Sequence, residues 1–248
     1  KKLTEVVFIQ GSAASTRQIT MGTGVFYGCS ALRSIVLPEG LVTLPQMTFA
    51  GCTNLQNVTL PKTLVEIEEI AFSNTEAPCK SLEQIELPKN LQKIGAHAFQ
   101  NAGLTSIEIP ECVTTIGESA FRGNHKLNKI DFQESQSERT LGAYAFADCG
   151  TVETVILRDK IRILPEGLFA TTAIKTIYLP ATIDAENSDY SAFDDGTSPQ
   201  TIYFAGTQEE WKDFVDWFWQ LGDSECHLNS SESALSLQTL TSLFALFR

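Results

Sequence analysis

The chain has 248 residues, 43% of them hydrophobic and 9% aromatic, so it can build a large core and is not a disordered protein. Its net charge of −12 excludes the basic surface that binding to nucleic-acid backbones requires, and it disfavours contact with an anionic membrane. Its apolar runs fall short of the ~20 residues of a membrane span, so we expect no membrane insertion. The opening residues, KKLTEVVFIQG, lack the apolar core and cleavage site of a signal peptide, and we expect either a cytosolic protein or a mature or trimmed piece.

A phenylalanine recurs along most of the chain at intervals of 22 to 27 residues. The series is Phe26, Phe49, Phe72, Phe99, Phe121, Phe146, Phe169 and Phe193. A phrase close to L-x-x-I-x-L-P follows each of them, and its alternating apolar residues predict a short strand that ends at the proline. One coil cannot bury its own phenylalanine, so we expect each ring to stack on the rings of neighbouring coils.

The predicted fold is a repeat solenoid, mainly β, with one short parallel strand in each coil of ~23 residues and irregular or 3-10 turns between the strands. We place it at residues 1–204, in about eight to nine repeats. We expect irregularity at the insertion QESQSERT, residues 133–140, and degenerate repeats after residue 181. The usual proline is also replaced in two consecutive repeats, by Gln133 and then by Arg158.

A position three residues before the first apolar residue of each strand phrase carries mostly Cys, Asn or Thr. The series is Cys29, Cys52, Cys79, Asn101, Asn124, Cys149 and Thr171. We expect these small side chains to bond loop backbone from inside a turn. For the four cysteines of the series we therefore predict free, buried thiols, because neighbouring side chains would point in parallel.

Residues 205–248 are predicted to form a helical cap over the last coil. Thr207 and Glu210 match a capping box, and apolar residues follow at helical spacing. A second helix is predicted over Ser231–Phe247, after the start signal of Asn229 and Ser230.

Two of the phrases are 104-LTSIEIP-110 with 113-VTTIGESAF-121 and 82-LEQIELP-88 with 91-LQKIGAHAF-99. They resemble the repeats of the BspA-like leucine-rich repeat family of bacterial and protist cell-surface proteins. The resemblance covers roughly residues 3–204. It implies a leucine-rich-repeat-like solenoid, an extracellular or cell-surface location, and recognition of the kind that adhesins perform.

The outward residues of the strands form what we call the strand face. In three consecutive repeats its later column carries Glu86, Glu108 and Asp131, which would stand about 5 Å apart. Like charges at this spacing are unfavourable unless a cation, Lys129 or a basic ligand relieves them. The alternative is an ordinary solvated face.

Further along the same column lie Ile156, Tyr178 and Tyr203. Tyrosine combines apolar area with a polar tip, which suits contact with a protein or a glycan. The alternative is plain cross-strand packing of aromatic rings.

We predict a non-catalytic module without cofactor or metal, in which the strand face binds a protein or glycan. The alternatives are a structural spacer of a larger surface protein, or a hydrolase that uses Glu86 with Glu108. Asp194, Asp195 and Gly196 could begin a calcium loop, but the remaining ligand spacing is missing and a turn is favoured.

Overall fold

The protein is described by a computed structural model that covers residues 3–6, 8, 18–73, 76–158, 160–193, 199–217 and 225–228. Over these residues it is a β-solenoid with parallel strands, as the sequence predicts, and it has about seven turns. The first set of strands, which carries the strand face, is β1 Glu5–Val6, β2 Ser34–Val36, β4 Asn57–Thr59, β7 Ser106–Ile109, β9 Lys129–Phe132, β11 Thr151–Ile156, β12 Ala173–Leu179, β13 Thr201–Phe204 and β14 Glu225–Leu228. The second set is β3 Thr43–Leu44, β5 Glu66–Ile67, β6 Lys93–Ile94, β8 Thr115–Ile116 and β10 Thr140–Leu141.

Among the described residues the strand pairs are all parallel, and each pair joins one coil to the next. The isoleucine column of the repeat lies in register across these pairs, for example Ile107 beside Ile130 and Val155 beside Ile177. Because side chains alternate along a strand, this register points every isoleucine inward and leaves the residues on either side of it on the strand face.

The second set of strands forms its own five-stranded sheet, in the order β10-β8-β6-β5-β3. The sequence analysis predicted one strand per coil and did not predict this sheet. Each of its strands has only two residues, such as Thr115–Ile116, which is too short for an alternating pattern to be recognised. The regular backbone pairing nevertheless gives each of these coils a second flat side.

The predicted ladder of phenylalanine rings is confirmed. Consecutive rings from Phe26 to Phe193 lie with centroids 4.8 to 6.0 Å apart and nearly parallel planes. The six rings from Phe49 to Phe169 are at most 1% exposed. One stack of eight aromatic rings therefore runs from Phe26 to Phe193 and forms the centre of the core over these coils.

The inward polar position is confirmed at Cys52, Cys79, Asn124 and Cys149. Each of these side chains donates a hydrogen bond to the carbonyl of a ladder phenylalanine in the preceding coil. The prediction is wrong for Asn101 and Thr171, whose side chains are not buried and whose backbone φ angles are positive.

In the two deviating repeats, Ala102 and Thr172 hold the inward place, and Thr172 donates to the carbonyl of Phe146. Except in the coil of Cys79, which carries an insertion, the inward residue lies three positions after the ladder phenylalanine. In these two repeats and in others, the N–H three residues after the phenylalanine donates back to its carbonyl. One residue fewer separates ring and strand in the two repeats.

The cysteines are all free, as predicted, and the four of the inward series are buried. Burial raises the pKa of the Cys52 thiol to about 12 and that of the Cys149 thiol to about 12. These thiols are therefore protonated at neutral pH and act as small core residues that also donate a hydrogen bond.

The irregularity predicted at residues 133–140 is held in place by Arg139. Its side chain is buried, donates to the carbonyls of Val113 and Pro110 at 3.0 and 2.9 Å, and lies over the ring of Phe132. Burial lowers the pKa of Arg139 to about 10. The carbonyl groups and the ring stabilise this cation inside the coil.

The start of the predicted cap is confirmed as helix α1, Gln208–Trp217. Thr207 and Glu210 form the capping box: the Thr207 N–H donates to Glu210 at 2.7 Å and the Glu210 N–H donates to the Thr207 hydroxyl. Trp211 and Phe214 of the helix pack on Phe204 of the last predicted repeat. The predicted second helix and Asp194–Gly196 lie outside the described residues.

Two further features belong to the end of the solenoid. A 3-10 helix, Tyr190–Phe193, brings the last ladder ring into place where the repeat degenerates. Beyond α1, β14 pairs with β13 and extends the sheet past residue 204, which the sequence analysis did not predict. Within the part of the chain that the structure covers, no helix has the length and apolarity needed to cross a membrane.

Candidate binding face

Most of the predicted site residues form one continuous line. The parallel register places six outward side chains of consecutive coils beside one another on the strand face. They are Glu108, Asp131, Ile156, Tyr178, Tyr203 and His227. Lys129 belongs to the neighbouring column, which it shares with Ser106 and Thr154.

One end of this line is a stack of three rings, which we call the aromatic strip: Tyr178, Tyr203 and His227. Tyr178 and Tyr203 lie 4.6 Å apart with an angle of 9° between their planes, and Tyr203 and His227 lie 5.0 Å apart at 20°. The two tyrosines are half-buried and His227 is exposed. Partial burial, with the neighbouring Tyr203, raises the pKa of Tyr178. The strip therefore presents polar tips on a rigid apolar surface.

The sequence analysis missed His227. The signal was present in 225-ECHL-228, where Cys226 and Leu228 are partly buried and alternate with the outward histidine. The phrase follows the helix of the cap and lacks the spacing of the repeat, so periodicity alone did not assign it to the sheet.

Asp131, in the middle of the line, lies between two cations. Lys129 lies 3.5 Å from one of its carboxylate oxygens, and Arg158 lies 3.9 Å from the other. Arg158 is nearly buried, and its Nε donates to the carbonyl of Phe132 at 2.8 Å. Arg158 stands where most repeats have proline. This departure from the repeat therefore supplies a cation beside Asp131.

Glu108 has a hydrogen-bond partner at the other replaced proline position, and this partner is neutral. The side-chain amide of Gln133 donates to Glu108 at 2.7 Å. Gln133 and Arg158 thus each reach back to the acidic residue of the preceding coil. The equivalent position for Glu86 is Pro110, which has no side-chain donor.

Glu86 does not belong to a paired ladder. Residues 82–88, which the sequence predicts as a strand, form none, so the expected spacing of about 5 Å between Glu86 and Glu108 has no basis in strand pairing. The two side chains instead line the same cleft. We call it the acidic cleft; its lining residues are Gln84, Ile85, Glu86, Leu87, Lys89, Ser106, Glu108, Pro110, Glu111 and Gln133. Its volume is about 570 Å³.

The described residues contain no group of three or more His, Cys, Asp or Glu side chains that could hold a metal ion. The chemistry that this face presents is hydrogen bonding, charge and aromatic contact. Two parts of it are distinct: an acidic cleft at the coils around residues 84–111, and the aromatic strip near the cap.

Comparison with known proteins agrees with this geometry. Six copies of one repeat profile, described as BspA type Leucine rich repeat region, match residues 19–79 and 76–200. The chain belongs to this family. The resemblance predicted from the phrases is therefore confirmed.

Solved structures show the same fold. A leucine-rich repeat protein from Bacteroides ovatus is 21% identical, with a TM-score of 0.56 over 84% of this chain and 57% of that one. The Leucine Rich Repeat protein of T. pallidum is 24% identical, with a TM-score of 0.53 over 91% of this chain and 88% of that one. The chain thus spans little more than half of the Bacteroides protein. No curated protein matches the chain.

Proposed function

We propose that the chain is a non-catalytic binding module, secreted or held at the cell surface, which recognises a protein or a glycan through its strand face. The observation that carries the proposal is the unbroken line of outward side chains from Glu108 to His227. Parallel pairing and the buried ring ladder below fix these side chains on a rigid surface. Rigid aromatic residues contribute contact area with little loss of conformational entropy on binding.

Membership of the BspA-type repeat family supports an extracellular role, and the net charge of −12 is compatible with it. The hydrolase alternative loses support because strand pairing does not hold Glu86 and Glu108 at a fixed separation. A spacer would leave the strand face unused, and the experiment below separates it from a binding module.

The test uses arrays of purified glycans and extracellular proteins, probed with the labelled chain and with Tyr178→Ala/Tyr203→Ala. The control is Tyr27→Ala, which removes one tyrosine that is 58% exposed outside the strand face. We expect a captured ligand to bind the double variant at least ~10-fold more weakly, since buried aromatic contacts are typical hot spots. The control should bind within a factor of about two.

An array without any captured ligand would favour the spacer. A ligand that binds both variants and the parent chain equally would place recognition outside the strand face and contradict the proposal. Far-UV circular dichroism of each variant checks that the fold is retained.

A further inference from the structure

The sheet on the strand face is split in the middle of the solenoid. β4 is the edge of a three-stranded sheet, and β7 is the edge of a six-stranded one. The coil between them, residues 82–88, has the phrase LEQIELP but no strand. Among the described residues, its backbone bond to a neighbouring coil is that of the Thr105 N–H to the Glu83 carbonyl. From Gln84 to Leu87 the backbone therefore makes no hydrogen bond to the described residues of either neighbouring coil.

An insertion precedes the unpaired phrase in this coil. Leu82 lies ten positions after Phe72, whereas Leu55 and Leu127 lie six positions after Phe49 and Phe121. Phe72 and Leu82 are still fully buried, so the core is continuous past the insertion.

The acidic cleft borders this unpaired backbone. All four residues from Gln84 to Leu87 line it, so residues from both faces of this segment reach the cleft. This is expected at the edge of an extended segment. From β7 only alternate residues do so, Ser106 and Glu108, which are outward side chains. Ile85 is half-buried here, whereas the isoleucine column is buried in the other coils from residue 35 onward. The cleft thus offers free backbone groups, an apolar residue and an outward face.

The charge of the cleft is negative, because Gln133, which donates to Glu108, is itself neutral. Glu86, Glu108 and Glu111 line it against a single cation, Lys89. No lysine, arginine or histidine of the described chain lies within 4.0 Å of these three carboxylates. The two replaced prolines supply donors to the next acidic residues along the face, while Glu86 lies opposite the unreplaced Pro110.

We propose that the acidic cleft binds an extended peptide segment of a partner protein that carries lysine or arginine at alternate positions, as an added strand beside Gln84–Leu87. The peptide backbone pairs with the unpaired backbone of this segment, and its basic side chains reach Glu86 and Glu108. The cleft volume of about 570 Å³ lies within the range of ligand sites, 300–1,000 Å³. This inference rests on the proposed binding function and names one partner class for it.

The test measures binding of a fluorescein-labelled peptide, acetyl-(Thr-Lys)4-amide, to the full chain by fluorescence anisotropy. Three further probes separate the sources of affinity: the same peptide N-methylated at every second residue, acetyl-(Thr-Glu)4-amide, and spermine as competitor. N-methylation removes backbone donors and keeps the charge, whereas spermine supplies charge without a peptide backbone. The variants are Glu86→Gln/Glu108→Gln and a matched control, Glu69→Gln/Glu118→Gln, which removes two exposed carboxylates outside the strand face.

We expect the lysine peptide to bind, and its affinity to fall roughly tenfold or more on N-methylation or in the cleft variant. The glutamate peptide should not bind, spermine should compete poorly, and the control should bind within about twofold of the parent. Equal binding of the N-methylated peptide, or equal loss in both variants, would overturn the strand-addition proposal. Absence of binding at millimolar peptide would overturn it as well.

The two proposals fail separately. If the lysine peptide does not bind but array ligands still depend on Tyr178 and Tyr203, only the peptide inference falls. If array ligands bind without any dependence on the strand face, the proposed function falls whatever the peptide does.

Discussion

The ring ladder makes a quantitative prediction for Phe99→Ala. Phe99 is completely buried and lies between Phe72, at 4.8 Å, and Phe121, at 5.3 Å. Truncation of a buried phenylalanine to alanine costs about 3–5 kcal/mol of unfolding free energy, because apolar transfer is lost and a cavity remains. The neighbouring coils are held apart by their backbone pairing, so we expect little collapse of the cavity and a cost near the upper end of this range.

Phe99→Leu separates ring stacking from apolar burial. Leucine keeps most of the apolar volume but loses both stacked neighbours, each worth about 0.5–1.5 kcal/mol beyond buried area. We therefore expect a loss of about 1–3 kcal/mol, between the parent and the alanine variant. Tyr27→Ala, at an exposed ring, serves as the control and should change stability by less than about 0.5 kcal/mol.

The assay is urea unfolding followed by far-UV circular dichroism at fixed protein concentration. With a slope of about 1–3 kcal/mol/M, the alanine variant should unfold more than about 1 M earlier than the parent. A midpoint shift no larger than that of Tyr27→Ala would show that the ring does not support its neighbours. An equal shift for the leucine and alanine variants would show that stacking, rather than filled volume, dominates.

Three further predictions concern single positions. Ile70 is β-branched and has a φ of 58°, so Ile70→Asn should raise the unfolding free energy by about 0.5–1 kcal/mol in the same assay, and a loss would contradict the strain. Asn124 donates to two carbonyls and accepts one N–H inside the coil, so Asn124→Ala should cost about 2–4 kcal/mol, whereas Asn124→Cys should cost less because cysteine holds this place in other coils. Iodoacetamide at pH 8 should modify the exposed Cys112 first. Burial raises the thiol pKa of Cys52 and Cys149 to about 12, so both should react only after unfolding; mass spectrometry showing comparable labelling rates would contradict this.

The core and the capping box could be predicted from the sequence because their signals are local and repeated. A phenylalanine recurs every 22 to 27 residues with an alternating phrase after it, and one coil alone cannot bury this ring. The sequence therefore predicts that the rings of successive coils stack. Thr207 and Glu210 are three residues apart and need only a helix to bond each other. Neither inference required knowledge of how a distant part of the chain is placed.

The split in the sheet could not be predicted in this way. The phrases 82-LEQIELP-88 and 104-LTSIEIP-110 have the same apolar pattern, yet only the second forms a paired strand. Pairing depends on how the neighbouring coils are placed, which the phrase itself does not encode, and the insertion upstream of Leu82 lies outside the phrase. The same holds for Arg158, whose role depends on the aspartate one coil earlier.

Two irregularities of the strand face, the replaced prolines and the unpaired phrase at residues 82–88, explain which of its carboxylates lack a side-chain partner. In a uniform solenoid every strand is paired on both sides, and an acidic column would repel itself. Here two proline positions are exchanged for Gln133 and Arg158, and the carboxylates they face are hydrogen-bonded or ion-paired. The phrase that carries Glu86 is unpaired, and the position that faces Glu86 from the next coil retains its proline, Pro110, which has no side-chain donor. Negative charge and unpaired backbone therefore coincide at one coil, and a basic extended segment satisfies both at once, which neither a polyamine nor a neutral strand can do.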